Sequence, residues 1–258
     1  MKVDNLDILI FKTREEMGAA SGAKAAEKIR ELQKNQDYVN IIFASAPSQN
    51  EFLAALSVAE GINWEKINAF HMDEYVGLPA DAPQNFGNFL KVNLFDKVDV
   101  NKVFYINGNA PDIEEECKRY AKLLTEYPTD IVCLGIGENG HIAFNDPHVA
   151  DFNDPLLVKK VALDLASRQQ QVNDKCFESL EEVPEDAITL TIPSLLKAKH
   201  GYCIVPGEKK AQAILNTVAE DISEQFPSTI LRKHHGITLF IDKDSSGKLG
   251  EISSYSQA

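Results

Sequence analysis

Short runs of aliphatic and β-branched residues alternate along the chain with longer stretches whose apolar positions recur every three or four residues. The short runs, at 6–11, 38–43, 67–71, 103–106, 130–134, 156–161, 187–192, 202–205 and 237–241, predict strands. The longer stretches, at 13–33, 49–60, 85–95, 111–126, 165–177, 194–198 and 208–219, predict helices. Several strands, such as IVCLG and INAF, are unbroken apolar runs, the pattern of strands covered on both faces. Strands alternating with helices predict an α/β fold: a doubly wound, mostly parallel sheet with helices on both faces. No repeat, low-complexity tract or linker interrupts the pattern, so a single domain over 1–258 is expected. Poor periodicity and polar loops mark 145–185 as a candidate lid.

Open α/β sheets bind ligands outside the carboxyl ends of their strands. Four such ends carry polar or glycine-rich strings: SAPSQN after Phe43, HMDEY after Phe70, GIGENGH after Leu134 and PGEKK after Val205. The third is the richest. Its glycines at 135, 137 and 140 can take positive φ and turn backbone N–H groups toward an anion. It then delivers His141 and, five residues on, Asp146.

An imidazole can pass a proton to or from a ligand oxygen near neutrality, although His141 also reads as a satisfied structural residue. Asp146 is placed either to orient that ring or to start a turn before Pro147, and Asn139 either to set the tautomer or to bind a ligand. Asp73, shielded by Phe70, Met72 and Tyr75, has the surroundings that raise a carboxyl pKa and make a general base. A capping role for Asp73 or Glu74 fits the same residues. Residues 45–50 form either a phosphate seat at a helix start or an ordinary serine cap. Lys210 is either a phosphate partner or a solvated lysine. Lys159, Lys160, Arg168 and Lys175 together suggest a docking point for an anionic substrate. His71 beside Asp73 and Glu74 mimics a metal fragment, but strand neighbours face opposite ways; with His234 and His235 read as a polar turn, no metal site is expected.

Composition narrows the class. A net charge of −13 argues against general binding to nucleic acid or an anionic membrane, so an anionic substrate needs a local cationic cluster. Cys117, Cys133, Cys176 and Cys203 are scattered, without CxxC spacing, and read as free thiols of a reducing cytoplasm. The start of the chain, with acids at 4 and 7 and no long apolar stretch, reads as neither a signal peptide nor a membrane anchor.

With FHMDEYVGLP and LGIGENGHIAFNDP both present, the chain resembles the glucosamine-6-phosphate deaminase (isomerase) family, in the superfamily that includes 6-phosphogluconolactonase. The resemblance runs from about Lys24 to Asp242 and extends to FYINGNAPDIEEEC, VPEDAITLTIPSLL and PGEKKA. MDEYVGLP and GHIAFN point to the deaminase branch; the lactonase branch continues differently after its Gly–His. The resemblance implies a Rossmann-like fold and conversion of glucosamine 6-phosphate and water to fructose 6-phosphate and ammonium. It implies no metal or organic cofactor, a small aminosugar phosphate as partner, and leaves a homo-oligomer open. By position, Asp73 matches the base working between C2 and C1, and His141 the residue that opens the ring. Asp146, where the family usually has Glu, and Asn139 fall in the relay around that histidine. Ser45, Ser48 and Lys210 match phosphate-binding positions, and Gly137 of the glycine-rich loop is expected to help bind substrate. The alternatives are a 6-phosphogluconolactonase and a non-catalytic sugar-phosphate sensor.

The departures set further expectations. The family's Thr-Gly-Gly-Thr-Pro loop is here Ser45, Ala46, Pro47, Ser48, Gln49. Pro47 has no N–H and Ala46 resists positive φ, so Gln49 or Asn50 is expected to help hold phosphate. Asp146, one methylene short of Glu, is expected to shift its contact with the imidazole or to use a water. Leu157 replaces one family arginine, and Lys175 stands in for another across an insertion.

Overall fold

The computed structural model describes residues 1–251; residues 252–258, part of the expected domain, lie outside the described residues. From the N-terminus come β1 (Lys2–Val3), β2 (Leu6–Phe11), α1 (Arg14–Leu32), β3 (Val39–Phe43), α2 (Asn50–Ser57) and β4 (Ile67–His71). Next are β5 (Asp73–Tyr75), α3 (Phe86–Asn93), β6 (Lys102–Phe104), α4 (Ile113–Glu126), β7 (Ile131–Leu134) and β8 (Val158–Ala162). The remainder is α5 (Leu165–Asn173), β9 (Asp186–Leu190), α6 (Ile192–Leu195), β10 (His200–Val205), α7 (Ala211–Ala219) and β11 (Ile237–Asp242).

Eight strands form the main sheet in the order β1-β2-β11-β10-β7-β3-β4-β6. All pair in parallel except the β1–β2 hairpin. Successive side chains go to opposite faces. Ile42, Val132, Leu134 and Cys203 therefore join a core with Tyr120 of α4 and Ile214 of α7. Ile41, Phe43, Ile131 and Cys133 join another with Met17 and Ile29 of α1 and Phe52 and Leu56 of α2. This is the doubly wound arrangement expected from the unbroken apolar strands. Small residues seat α2 on α1: a Cβ on Gly18 would stand 2.3 Å from Cβ of Glu51, and one on Gly22 2.7 Å from Cβ of Ala55.

The winding reverses at β3. The chain steps outward from β3 to β4 and β6, then crosses back to β7 on the other flank of β3. Such a reversal opens a crevice at the carboxyl ends of the two central strands. The Ala44 N–H donates to the Cys133 carbonyl at 2.9 Å, so β3 and β7 stay joined up to that crevice.

A second, three-stranded antiparallel sheet, β5-β9-β8, was not anticipated. The three residues of β5 are too few to show a period, and β8 and β9, though expected as strands, pair with each other outside the main sheet. Tyr75, Phe86, Phe144 and Phe177 form an aromatic core around this sheet, with ring centroids 4.7 to 5.6 Å apart. Other differences sit at element ends. The helix expected over 165–177 stops at Asn173, and Lys175 just beyond takes φ +61°. Over 194–198 the helix is instead the single turn of α6, whose N-cap Thr191 accepts from the Ser194 N–H. Among the described residues no helix is long and apolar enough to cross a membrane.

Candidate active site

A cavity of about 420 Å³ lies at the reversal point, lined by residues from all four polar strand ends. β10, β7, β3 and β4 are consecutive in the sheet, which brings those four loops to one rim.

Asp73 follows β4 after the single residue Met72 and opens β5. The residue is 7% exposed and lines the cavity, and its carboxyl has no hydrogen-bond partner among the described residues. Burial, reinforced by the neighbouring Glu74 carboxyl, pushes its pKa well above the ordinary carboxylate range. Glu74 does the capping. It accepts from the N–H groups of Tyr75, Phe86 and Gly87 at 3.0 Å each, and burial outweighs those bonds to bring its pKa up to about 7. His71 fixes the main chain beneath Asp73. Its Nε2 accepts from the Ile106 N–H at 2.9 Å, which leaves Nδ1 to donate to the Asp73 carbonyl at 2.8 Å. With both nitrogens taken by backbone, His71 is no metal ligand.

His141 sits among three oxygens. Its Nδ1 lies 2.7 Å from Asn139 Oδ1, 2.9 Å from Ser167 Oγ and 3.1 Å from Asp146 Oδ1. Ser167 gives its own proton to Asp146, so its lone pair faces the ring. All three neighbours therefore accept, which places a hydrogen on Nδ1 and leaves Nε2 as the free acceptor of a ring that lines the cavity. Asn139 Nδ2 donates to Asp146 Oδ1 at 2.9 Å, tying the ring's partners together. Burial opposes charge on Asp146, but His141, Asn139 and Ser167 together hold its pKa below the ordinary range. The Asp146 contact to His141 is direct. The loop that carries Asp146 is tightened just before it by the Ile142–Asn145 turn, closed by Asn145 N–H to the Ile142 carbonyl at 3.1 Å.

Gly137 leaves space for this ring: a Cβ there would stand 2.1 Å from His141 Cε1. Strand β9 links the two halves of the site. Thr189 is register partner of Asp73, and its Oγ1 accepts from the Phe144 N–H at 3.0 Å. Asn145 Nδ2 donates to the neighbouring Leu190 carbonyl at 2.8 Å.

On the opposite rim, Ser45 is buried with its Oγ unpartnered, and Ser48 lines the cavity beside it. The loop forms without positive φ, since Ala46 is extended at φ −155° and Pro47 begins a 3-10 turn. Lys210 is 7% exposed and lines the cavity, and its ammonium has no hydrogen bond or ion pair among the described residues. Burial lowers its pKa against the pull of Asp174 and Glu138.

Several expected residues lie elsewhere. Gln49 is fully buried and spends its Nε2 on Ser48 Oγ and the Ile204 carbonyl, while Asn50 is exposed at the start of α2. Neither lines the cavity. Lys175 is exposed and outside it, at a left-handed backbone position. The expected cationic cluster is dispersed: Lys159 pairs with Asp154, Lys160 with Asp186, and Arg168 binds the Leu180 and Val183 carbonyls. Two residues went unanticipated. Ser167 sits in an N-cap stretch whose Asp164 accepts from its own N–H, an ordinary helix start by sequence. Arg14 follows the α1 N-cap Thr13 and also lines the cavity. Asp146, His148 and Asp164 offer donor atoms within 4.8 Å of one another, yet Asp146 serves His141, Asp164 caps α5 and His148 bonds the Ala162 carbonyl.

Fold and cleft define a doubly wound α/β protein with an unpartnered carboxyl and a tautomer-fixed imidazole at its reversal point. Residues 12–240 match the family model described as glucosamine-6-phosphate isomerases/6-phosphogluconolactonase, and the chain belongs to that family. It is 34% identical over 240 residues to a glucosamine-6-phosphate deaminase of Bacillus cereus (strain B4264), covering 93% of this chain and 88% of the relative. It is 32% identical over 246 residues to one of Shouchella clausii, covering 93% and 96%. Among solved structures, a monomeric glucosamine-6-phosphate deaminase superposes with TM-score 0.85 at 29% identity, over 93% of this chain and 99% of that one. A Thermotoga maritima 6-phosphogluconolactonase, 20% identical, shares the fold at TM-score 0.71, over 92% and 100%.

Proposed function

We propose that this protein is an enzyme of aminosugar catabolism that converts glucosamine 6-phosphate and water to fructose 6-phosphate and ammonium. The observation that carries this reading is the pairing, in one cavity, of the buried, unpartnered Asp73 carboxyl with an imidazole whose tautomer is fixed. His141, with its proton on Nδ1, takes the anomeric hydroxyl proton at Nε2 and returns it to the ring oxygen, opening the pyranose. Asp73 removes the proton from C2 of the open aldose while the C1 carbonyl oxygen takes one from the substrate's own ammonium, giving an enolamine, and Asp73 then delivers the C2 proton to C1. The resulting C2 iminium adds water, and the carbinolamine expels ammonia as the ketose forms. Asp146, Asn139 and Ser167 hold the ring in place through these transfers. Lys210, Ser45 and Ser48 face the phosphate.

The relatives' names support the substrate, and the MDEYVGLP and GHIAFN strings support the deaminase over the lactonase. We read residues 145–185 as cover for the site, because Ser167 contacts His141 and Gln170, Gln171 and Asp174 line the cavity. The free cysteines fit a reducing cytoplasm. The test is a paired assay of ammonia and fructose 6-phosphate released from glucosamine 6-phosphate, beside hydrolysis of 6-phosphogluconolactone. Stoichiometric ammonia and ketose are expected; lactone hydrolysis without ammonia would overturn the reading.

A further inference from the structure

The phosphate side of the cavity needs positive charge. Pro47 has no N–H, and the N–H groups of Gln49 and Asn50 close the 3-10 turn by donating to the Ala46 and Pro47 carbonyls. A loop so closed has less to give an anion than a glycine-rich one. Lys175, Lys159, Lys160 and Arg168 all lie outside the cavity. Lys209 lines it, but its ammonium reaches the Asn173 carbonyl at 3.3 Å. Lys210 alone then faces a dianion in a chain of net charge −13.

Arg14 fills this gap. It is the one guanidinium lining the cavity among the described residues, and it shares that lining with Ser45, Ser48 and Lys210. It is anchored to the same loop and helix that carry those serines: Nη2 donates to the Pro47 carbonyl, and Nε stands 2.7 Å from Glu51 Oε2. Gly18 allows that approach, since any Cβ there would collide with Glu51. Nη1 has no partner among the described residues, so the outer part of a fixed planar fork remains for an anion. A guanidinium held in this way suits the paired oxygens of a phosphate better than a mobile ammonium does.

We propose that Arg14 is a phosphate ligand and selects for the phosphorylated substrate. The inference rests on the deaminase reading, which puts phosphate at this end of the cavity. The experiment measures steady-state kinetics with glucosamine 6-phosphate, inhibition by inorganic phosphate, and direct phosphate binding by calorimetry, for wild type, Arg14→Gln and Arg14→Lys. In Arg14→Gln, KM and the phosphate inhibition constant are expected to rise together by about 10- to 100-fold, with kcat within a few-fold. Arg14→Lys, which keeps the charge and guards against a folding defect, is expected to recover only part of the loss. Unchanged KM and phosphate affinity in both variants would overturn the proposal, as would a wild type that binds no phosphate. A wild type that releases no ammonia yet binds phosphate through Arg14 would instead overturn the deaminase reading and leave the anion site standing.

Discussion

Gly137 lies against the face of His141 so closely that a Cβ on it would stand 2.1 to 2.4 Å from three atoms of the ring. The loop therefore fits the imidazole only because a hydrogen stands where every other residue has a carbon. Gly137→Ala is expected to push the ring off its Asn139, Ser167 and Asp146 partners and cut kcat by about 100-fold, the scale for an ångström-sized misplacement. Kinetics alongside circular dichroism would check this. A folded variant with full turnover would show that the ring does not need that position.

Asp73 must be ionised to accept a proton. Asp73→Asn is expected to lower kcat by about 10²- to 10⁴-fold while substrate still binds. Because burial and Glu74 push the Asp73 pKa up, the acid limb of the wild-type kcat profile should lie above the ordinary carboxylate range, with activity lost as pH falls through it. A limb at pH 4 or below contradicts the assignment.

Lys210 and Lys175 give opposite expectations. Lys210→Ala removes a buried, unpartnered ammonium from the cavity and is expected to raise KM by about 10-fold or more. Lys175→Ala, at an exposed left-handed position, is expected to leave KM within twofold. Comparable losses in both would place the phosphate elsewhere.

His71 ties stability to pH. Burial lowers its pKa from 6.5 to about 4, so between those values the unfolded chain binds a proton that the folded chain does not. Its contribution is full above pH 6.5 and drains away as pH falls toward 4, by an amount on the order of 3 kcal/mol. Asp73 and Glu74, both raised, work with the opposite sign, losing stability as they ionise on rising pH. Comparing urea unfolding of wild type and His71→Asn at pH 7 and pH 4 isolates the histidine. The wild type should lose about 3 kcal/mol more than the variant; equal losses would show that His71 is not held neutral.

Much of this was legible in the chain. Unbroken apolar strands announce a sheet covered on both faces, and the strings after them had to meet on one rim because parallel strands end on the same side. Asp73 and His141 stand in those strings and could be named. The misreadings share a cause: residue type is local, whereas direction is set by the backbone. Lys175 has the charge for an anion but follows a helix that ends two residues earlier and is exposed, outside the cavity. Gln49 and Asn50 carry suitable amides, yet one is buried under β10 and the other faces solvent. Arg14 and Ser167 reach the site across 33 and 26 residues of chain from positions that read as helix starts. Nothing in a local pattern reports such approaches.

Asp73 belongs to the small antiparallel sheet and His141 to a loop of the large parallel one, with β9 bonded to both. Both residues also hang on the large sheet, Asp73 one residue past β4 and His141 in the loop after β7, so β9 is a second tie between them. That tie rests on three short strands, and a small unit can open at lower free energy than the whole fold. On warming, catalysis is therefore expected to fade while most of the helical signal persists, the enzyme growing inactive before it melts.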